Sequence, residues 1–117
     1  MGELRARKIQ EFIKQEVSNI ILRELKDPRL GFVTVTDARI TGDLREATVY
    51  VSLFGNDKAK KDTMKALASA NGYIRSEVGK RLGIRYSPTI EFQEDTSLDY
   101  GMKIDKILRD IEAKEGN

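Results

Sequence analysis

Apolar residues along the chain first recur at three- and four-residue steps. Ile9, Phe12, Ile13, Val17, Ile20, Ile21 and Leu25 make one stripe, which predicts a long amphipathic helix over residues 4–26. Asp27-Pro28 predicts its end, because proline disfavours helical backbone in the residue before it. The period then shortens to two. Residues 32–40 are rich in Val and Thr, and residues 47–54 alternate. Ala47, Val49, Val51 and Leu53 fall on one side of that second strand; Thr48, Tyr50, Ser52 and Phe54 fall on the other. The link TGDLRE is short enough for a hairpin. Gly55-Asn56-Asp57 breaks the pattern and offers Asn56 or Asp57 as a helix cap.

Helical spacing returns over residues 58–70, with Met64, Leu67 and Ala68 expected inward, and again over 73–82, with Ile74, Val78 and Leu82. Asn71 and Gly72 separate the two, and a glycine inside a helix costs about 1 kcal/mol relative to alanine. Gly83 predicts a helix stop. Pro88 opens a third strand over 89–93, with Ile90 and Phe92 on one face. A last stripe, Tyr100, Ile104, Ile107, Leu108 and Ile111, predicts a C-terminal helix capped by Thr96 or Ser97 and frayed at EAKEGN. The order is helix, strand, strand, helix, helix, strand, helix. Three strands with one apolar face need helices to cover it, which predicts a two-layer α+β domain over residues 1–96 and a helical extension over 97–117.

Composition narrows the chemistry. The chain has 117 residues, a single-domain length, and 34% of them are charged. No apolar run approaches the roughly 20 residues that cross a bilayer. The start, MGELRARKIQEF, lacks the apolar stretch of a signal peptide. A soluble, cytoplasmic protein with no membrane contact is expected, and a monomer, since no heptad pattern is present. There is no Cys and no His, which removes disulfides, Cys/His zinc sites, thiol nucleophiles and His-based triads. Glu91, Glu94, Asp95 and Asp99 cluster in sequence, but Glu91 alternates away from Ile90 and Phe92. A nuclease would need convergent carboxylates on metal ions. No enzyme, cofactor or metal is expected.

The net charge of +2 hides an asymmetry. Residues 58–86 carry eight basic groups against two acidic ones, and residues 87–117 carry four against eight. A basic middle segment points to a polyanionic partner or, equally, to a solvated helix face.

The helix–link–helix unit between strands two and three resembles the type II KH arrangement, in which a GXXG loop clamps a nucleic-acid backbone. No GXXG is present; Gly79 and Gly83 are spaced one residue too far apart. The loop position holds Ala70-Asn71-Gly72. An Ala-x-Gly kink in a KH-like order resembles the bacterial ribosome-binding factor A family. So do DPRLGFVTVT (Asp27 to Thr36), GDLREATVYVS (Gly42 to Ser52) and GYIRSEVGKRLGIRYSPTIEFQED (Gly72 to Asp95), and the likeness covers about residues 5–110. The resemblance implies a small-subunit assembly factor. Such a factor binds the immature 30S subunit and its 16S rRNA, supports 5′-end maturation of that RNA without cutting it, and matters in the cold.

Candidate RNA contacts follow from residue chemistry and that resemblance together. Ala70 keeps a Cβ and Gly72 is the single permissive position, so a close phosphate clamp should be weakened. Two readings of the kink stand: its N–H groups, with Asn71 and Gly72, face a phosphate, or it only redirects the helix. Arg75 is the strongest contact candidate, because its guanidinium suits a phosphate or a splayed base. Lys80, Arg81 and Arg85 continue the basic stretch but cannot share one helical face. Arg5, Arg7 and Lys8 offer a second arm. Arg29 can pair locally with Asp27, and Arg39 and Arg45 flank the hairpin. The alternative class is a protein-interaction module acting through the acidic C-terminal helix.

Overall fold

The structure is a computed structural model and describes residues 3–84 and 86–97. The expected C-terminal helix with its stripe, Asp99 and Arg85 lie outside the described residues. In chain order the elements are α1 (Glu3–Arg23), β1 (Val33–Ile40), β2 (Glu46–Leu53), α2 (Asp57–Ser69), α3 (Asn71–Leu82) and β3 (Thr89–Glu94). β1 pairs antiparallel with β2, and β3 pairs parallel on the other side of β2. This is the KH-like α+β order expected.

One face of the sheet is covered. Ile13, Val17, Ile20 and Ile21 of α1, Leu67 of α2, and Ile74 and Val78 of α3 join Val35, Ala38, Ala47, Val49, Val51, Leu53 and Ile90 in a single buried cluster. β1 reaches it through an irregularity. The register runs Val35 to Val51 and then Asp37 to Tyr50, so Thr36 is an extra residue. A bulge of this kind resets the period of two. Val33 and Val35 point inward before it, and Ala38 and Ile40 after it. The Thr36 hydroxyl donates to Asp95 Oδ2 at 2.7 Å, which ties the bulge to the end of β3.

The element ends obey local chemistry. Asn56 caps α2, its side chain accepting from the Ala59 N–H at 2.8 Å. Gly83 stops α3 in left-handed backbone at φ 69°, its N–H donating to the Gly79 and Lys80 carbonyls. α1 ends at Arg23, before the expected Asp27-Pro28, because the Leu25 N–H turns back to the Ile20 carbonyl at 3.2 Å. Two assignments of side change. On α2 the buried residues are Thr63, Ala66 and Leu67, and Ala68 is exposed. Thr63 is accommodated because its hydroxyl accepts the Gly31 N–H at 3.0 Å. Ser52, assigned to the open side of β2, is buried.

Candidate nucleic-acid interface

The link between α2 and α3 is a single residue. Ala70 has φ −87° and ψ −1°, in the bridge region that any L-residue can reach. Its N–H donates to the Ala66 carbonyl, and its own carbonyl accepts the Ile74 N–H. Backbone hydrogen bonding therefore runs through a bend, as expected, and no loop forms. The second helix begins earlier than its spacing suggested, at Asn71, so Asn71 and Gly72 are its first residues. The Asn71 side chain donates from Nδ2 to the Ile90 carbonyl at 2.7 Å. That bond fastens the bend to β3. Asn71 thus has a structural task that its place among the RNA-contact candidates did not anticipate. Gly72 has none of this kind: a Cβ there would meet nothing within 4 Å, and its φ is not positive. The fold does not require that glycine, which leaves open backbone on the surface.

Arg75 is the fifth residue of α3, past the first turn, where repulsion by the helix dipole is weak. It is exposed, and its Nη2 donates to the Ser87 carbonyl at 3.3 Å. No described carboxylate bridges it. Arg81 has the opposite surroundings. It reaches across to Glu16 Oε2 of α1 at 3.0 Å and to Glu24 Oε2, just past the end of α1, at 2.9 Å. Tyr73 donates its hydroxyl to Glu24 Oε1 at 2.6 Å. The Tyr73 hydrogen bond, then Arg81, hold the Glu24 carboxyl below its ordinary value, and Glu24 pushes the Tyr73 phenol up to about 12. Arg81 is committed to joining α1 and α3, which weakens its case as an RNA contact.

The other candidates disperse. Lys80 is exposed in the last turn of α3. Arg5, Arg7 and Lys8 are exposed on the first turns of α1, where Gln10 Oε1 accepts the Ile40 N–H. Arg29 is bidentate to Asp27, drawing that carboxyl down to about 2. Arg39 pairs with Asp37 at 3.2 Å. Lys60 lies 3.6 Å from Glu94. Among the described residues no group of three or more carboxylates is placed to hold a metal.

What the structure adds is a recess beside Arg75. It has a volume of about 630 Å³ and lies between the hairpin residues Leu44 and Arg45, Arg75 of α3, and Ile84 and Tyr86 of the α3–β3 connection. Gly79 makes this arrangement possible: a Cβ there would fall 1.8 Å from Ser87 Oγ and 2.8 Å from Ser87 Cβ. The connection can therefore lie flat on α3. Gly79 and Arg75 are four residues apart and share a helical side. The sequence held a signal for this, since a glycine inside a helix costs stability and calls for a packing or functional reason.

The family model for ribosome-binding factor A matches residues 5–108. A ribosome-binding factor A from Halothermothrix orenii is 46% identical over 115 residues, covering 98% of this chain and 94% of that protein. Among solved structures, the crystal structure of ribosome-binding factor A from Thermus thermophilus superposes with a TM-score of 0.66 at 25% identity, over 76% of this chain and 94% of that one. The solution structure of a putative ribosome binding factor A from Thermotoga maritima gives 0.62 at 33% identity, over 80% and 86%. A third neighbour is a Thermus thermophilus homology model of the factor, fitted into a map of a 30S complex. It gives 0.63 at 26% identity, over 83% and 97%.

Proposed function

This chain belongs to the ribosome-binding factor A family, and from that premise we propose that it binds the small ribosomal subunit during assembly. It contacts 16S rRNA and supports late maturation, including processing of the 5′ end, and it matters most in the cold. It acts as a cytoplasmic monomer that stabilises a fold of the subunit; separate nucleases cut. The observation that carries this reading is the side of α3 presenting Gly72 and Arg75. Open backbone and a cation with no described carboxylate partner lie one turn apart, beside a recess, on a KH-like scaffold. The neighbour fitted into a 30S complex supports the same partner.

Co-sedimentation with purified 30S subunits at stepped salt tests it. Each phosphate neutralised by Lys or Arg releases counterions, so affinity should fall steeply with salt. Arg75→Glu should reduce association while the circular dichroism spectrum stays native. Association indifferent to salt, or absent at low salt, would remove the reading. Incubation with precursor rRNA and magnesium should leave the RNA intact.

A further inference from the structure

We propose that the recess between the β1–β2 hairpin, α3 and the α3–β3 connection holds one unstacked nucleotide of single-stranded RNA, its base against Tyr86 and its phosphate on Arg75 and Arg45. This rests on the 30S reading and moves the point of RNA readout away from the kink itself.

The recess is a built site. The Arg45 carbonyl accepts the Thr89 N–H at 2.8 Å and the Thr89 hydroxyl at 3.3 Å, which locks the hairpin to the start of β3. Arg75 donates across to the Ser87 carbonyl at 3.3 Å, and Gly79 brings Ser87 against the helix. The hairpin is thus tied to β3, and α3 to Ser87. One wall is also strained: Leu44 lies in left-handed backbone at φ 63°, among the described residues the one non-glycine residue to do so. A leucine is rare there, and such strain collects at ligand clamps.

The lining selects the ligand. Two guanidinium groups suit a phosphate. Leu44, Ile84 and the Tyr86 ring, whose residue is 74% exposed, suit a flat apolar face. Inorganic phosphate would leave the apolar part unused, and an apolar molecule would leave two cations facing it. A base joined to a phosphate uses both, through aromatic stacking and charge. Asp43 also lines the recess. Its Oδ1 accepts from the Thr41 hydroxyl at 2.6 Å and the Arg45 N–H at 3.1 Å, so the carboxylate is held in place and anionic. It turns a phosphate away and accepts N–H donors from a base edge, which orients the nucleotide. A base paired within a duplex cannot enter a recess of this kind, so the ligand is single-stranded.

The test is amide and aromatic shift mapping of the full chain with hexameric oligoadenylate, hexameric oligouridylate and a blunt RNA duplex. The single strands should perturb residues 43–45, 75, 84, 86 and 87, and the duplex should not. Tyr86→Ala should weaken oligonucleotide binding about tenfold, and Tyr86→Phe should keep it within about twofold. Arg75→Ala should weaken it and lower the salt slope by about one. Shifts centred on the α2 lysines or the kink would overturn the proposal. So would wild-type binding by a natively folded Tyr86→Ala, or no binding of either hexamer. Retained co-sedimentation with 30S in those cases would leave the 30S reading standing; loss of both would remove both.

Discussion

Arg75 and Arg81 lie six residues apart on the same helix and differ in everything but residue type. At 3.6 residues per turn, six positions turn the side chain by about 120° around the axis. That rotation takes Arg81 to Glu16 of α1 and to Glu24 just beyond its end, at 3.0 and 2.9 Å. It leaves Arg75 beside the recess, bonded to a carbonyl. Counted along the chain, both add equally to the basic segment. In the fold, one charge is matched by two carboxylates more than 50 residues away, and the other meets a carbonyl and no described carboxylate. Segment charge therefore locates a surface without saying which of its cations are available.

The largest expected effect tests whether the recess side depends on packing. Gly79→Ala sets a Cβ against Ser87. Part of the clash is relieved by rotating the Ser87 hydroxyl, but its Cβ at 2.8 Å requires the connection to move. A loss of about 1–3 kcal/mol is expected in urea unfolding. Association with 30S should fall although every basic residue is retained. Unchanged stability would mean that the connection is not held by this contact.

Exchanging the two arginines one at a time sharpens the comparison further. Arg81→Ala should lower the melting midpoint by roughly two to five degrees, because α1 and α3 lose their ionic tie. It should leave 30S affinity nearly unchanged. Arg75→Ala should do the reverse, with a several-fold loss of affinity and little change in melting. If both variants lost affinity equally, the division of labour between the two sides of α3 would be wrong.

Acid and base act on the Tyr73–Arg81 side of α3 and on the Asp27–Arg29 pair. The Glu24 carboxyl is held below its ordinary value of 4.5 by Tyr73 and Arg81. The Asp27 carboxyl is drawn from 3.8 to about 2 by Arg29. Both favour the folded state when ionised, so their contribution is complete above the ordinary carboxylate range. It is lost as the pH falls toward the folded-state values. The Tyr73 phenol runs the other way, raised from 10.0 to about 12 by its bond to Glu24. Its contribution is complete below about pH 10 and fades as the pH rises through 12. In a near-ultraviolet titration one tyrosine should ionise late, and Tyr73→Phe should abolish that late step. The groups are exposed, so the effects on stability should be modest.

Much of the fold was legible because it rests on local rules. The α1 stripe, the Asn56 cap, the Gly83 stop and the alternation of β2 as far as Val51 all appear where nearest-neighbour chemistry puts them. Misses arose where a distant partner decides. Asn71 reads as a helix breaker, but its amide is used by a carbonyl 19 residues on. Ala68 reads as apolar and inward, yet Thr63 takes an inward place because Gly31 supplies a donor. The bulge at Thr36 was within reach, since Val33, Val35, Ala38 and Ile40 skip one position. The recess was not, because its walls come from three separated segments. Arg75 and Arg45 were both visible as candidates, but nothing local joined them to Tyr86.

The smallest expected effect falls on the strained wall. At φ 63° a leucine pays a steric cost of about 1–2 kcal/mol that glycine does not. Leu44→Gly removes that strain in the folded state. It also gives the unfolded chain more freedom, which costs roughly 0.5–1 kcal/mol. The two changes oppose, so unfolding stability should stay within about 0.5 kcal/mol of the parent. The hairpin should persist, because the Leu44 N–H still reaches the Thr41 carbonyl and the Asp43 carboxylate still accepts the Arg45 N–H. What changes is the apolar wall beside Arg45. Single-stranded oligonucleotide affinity should fall two- to fivefold with no loss of fold, whereas a purely structural Leu44 would leave binding unaltered. The variant therefore asks whether the strain serves the recess or only the turn.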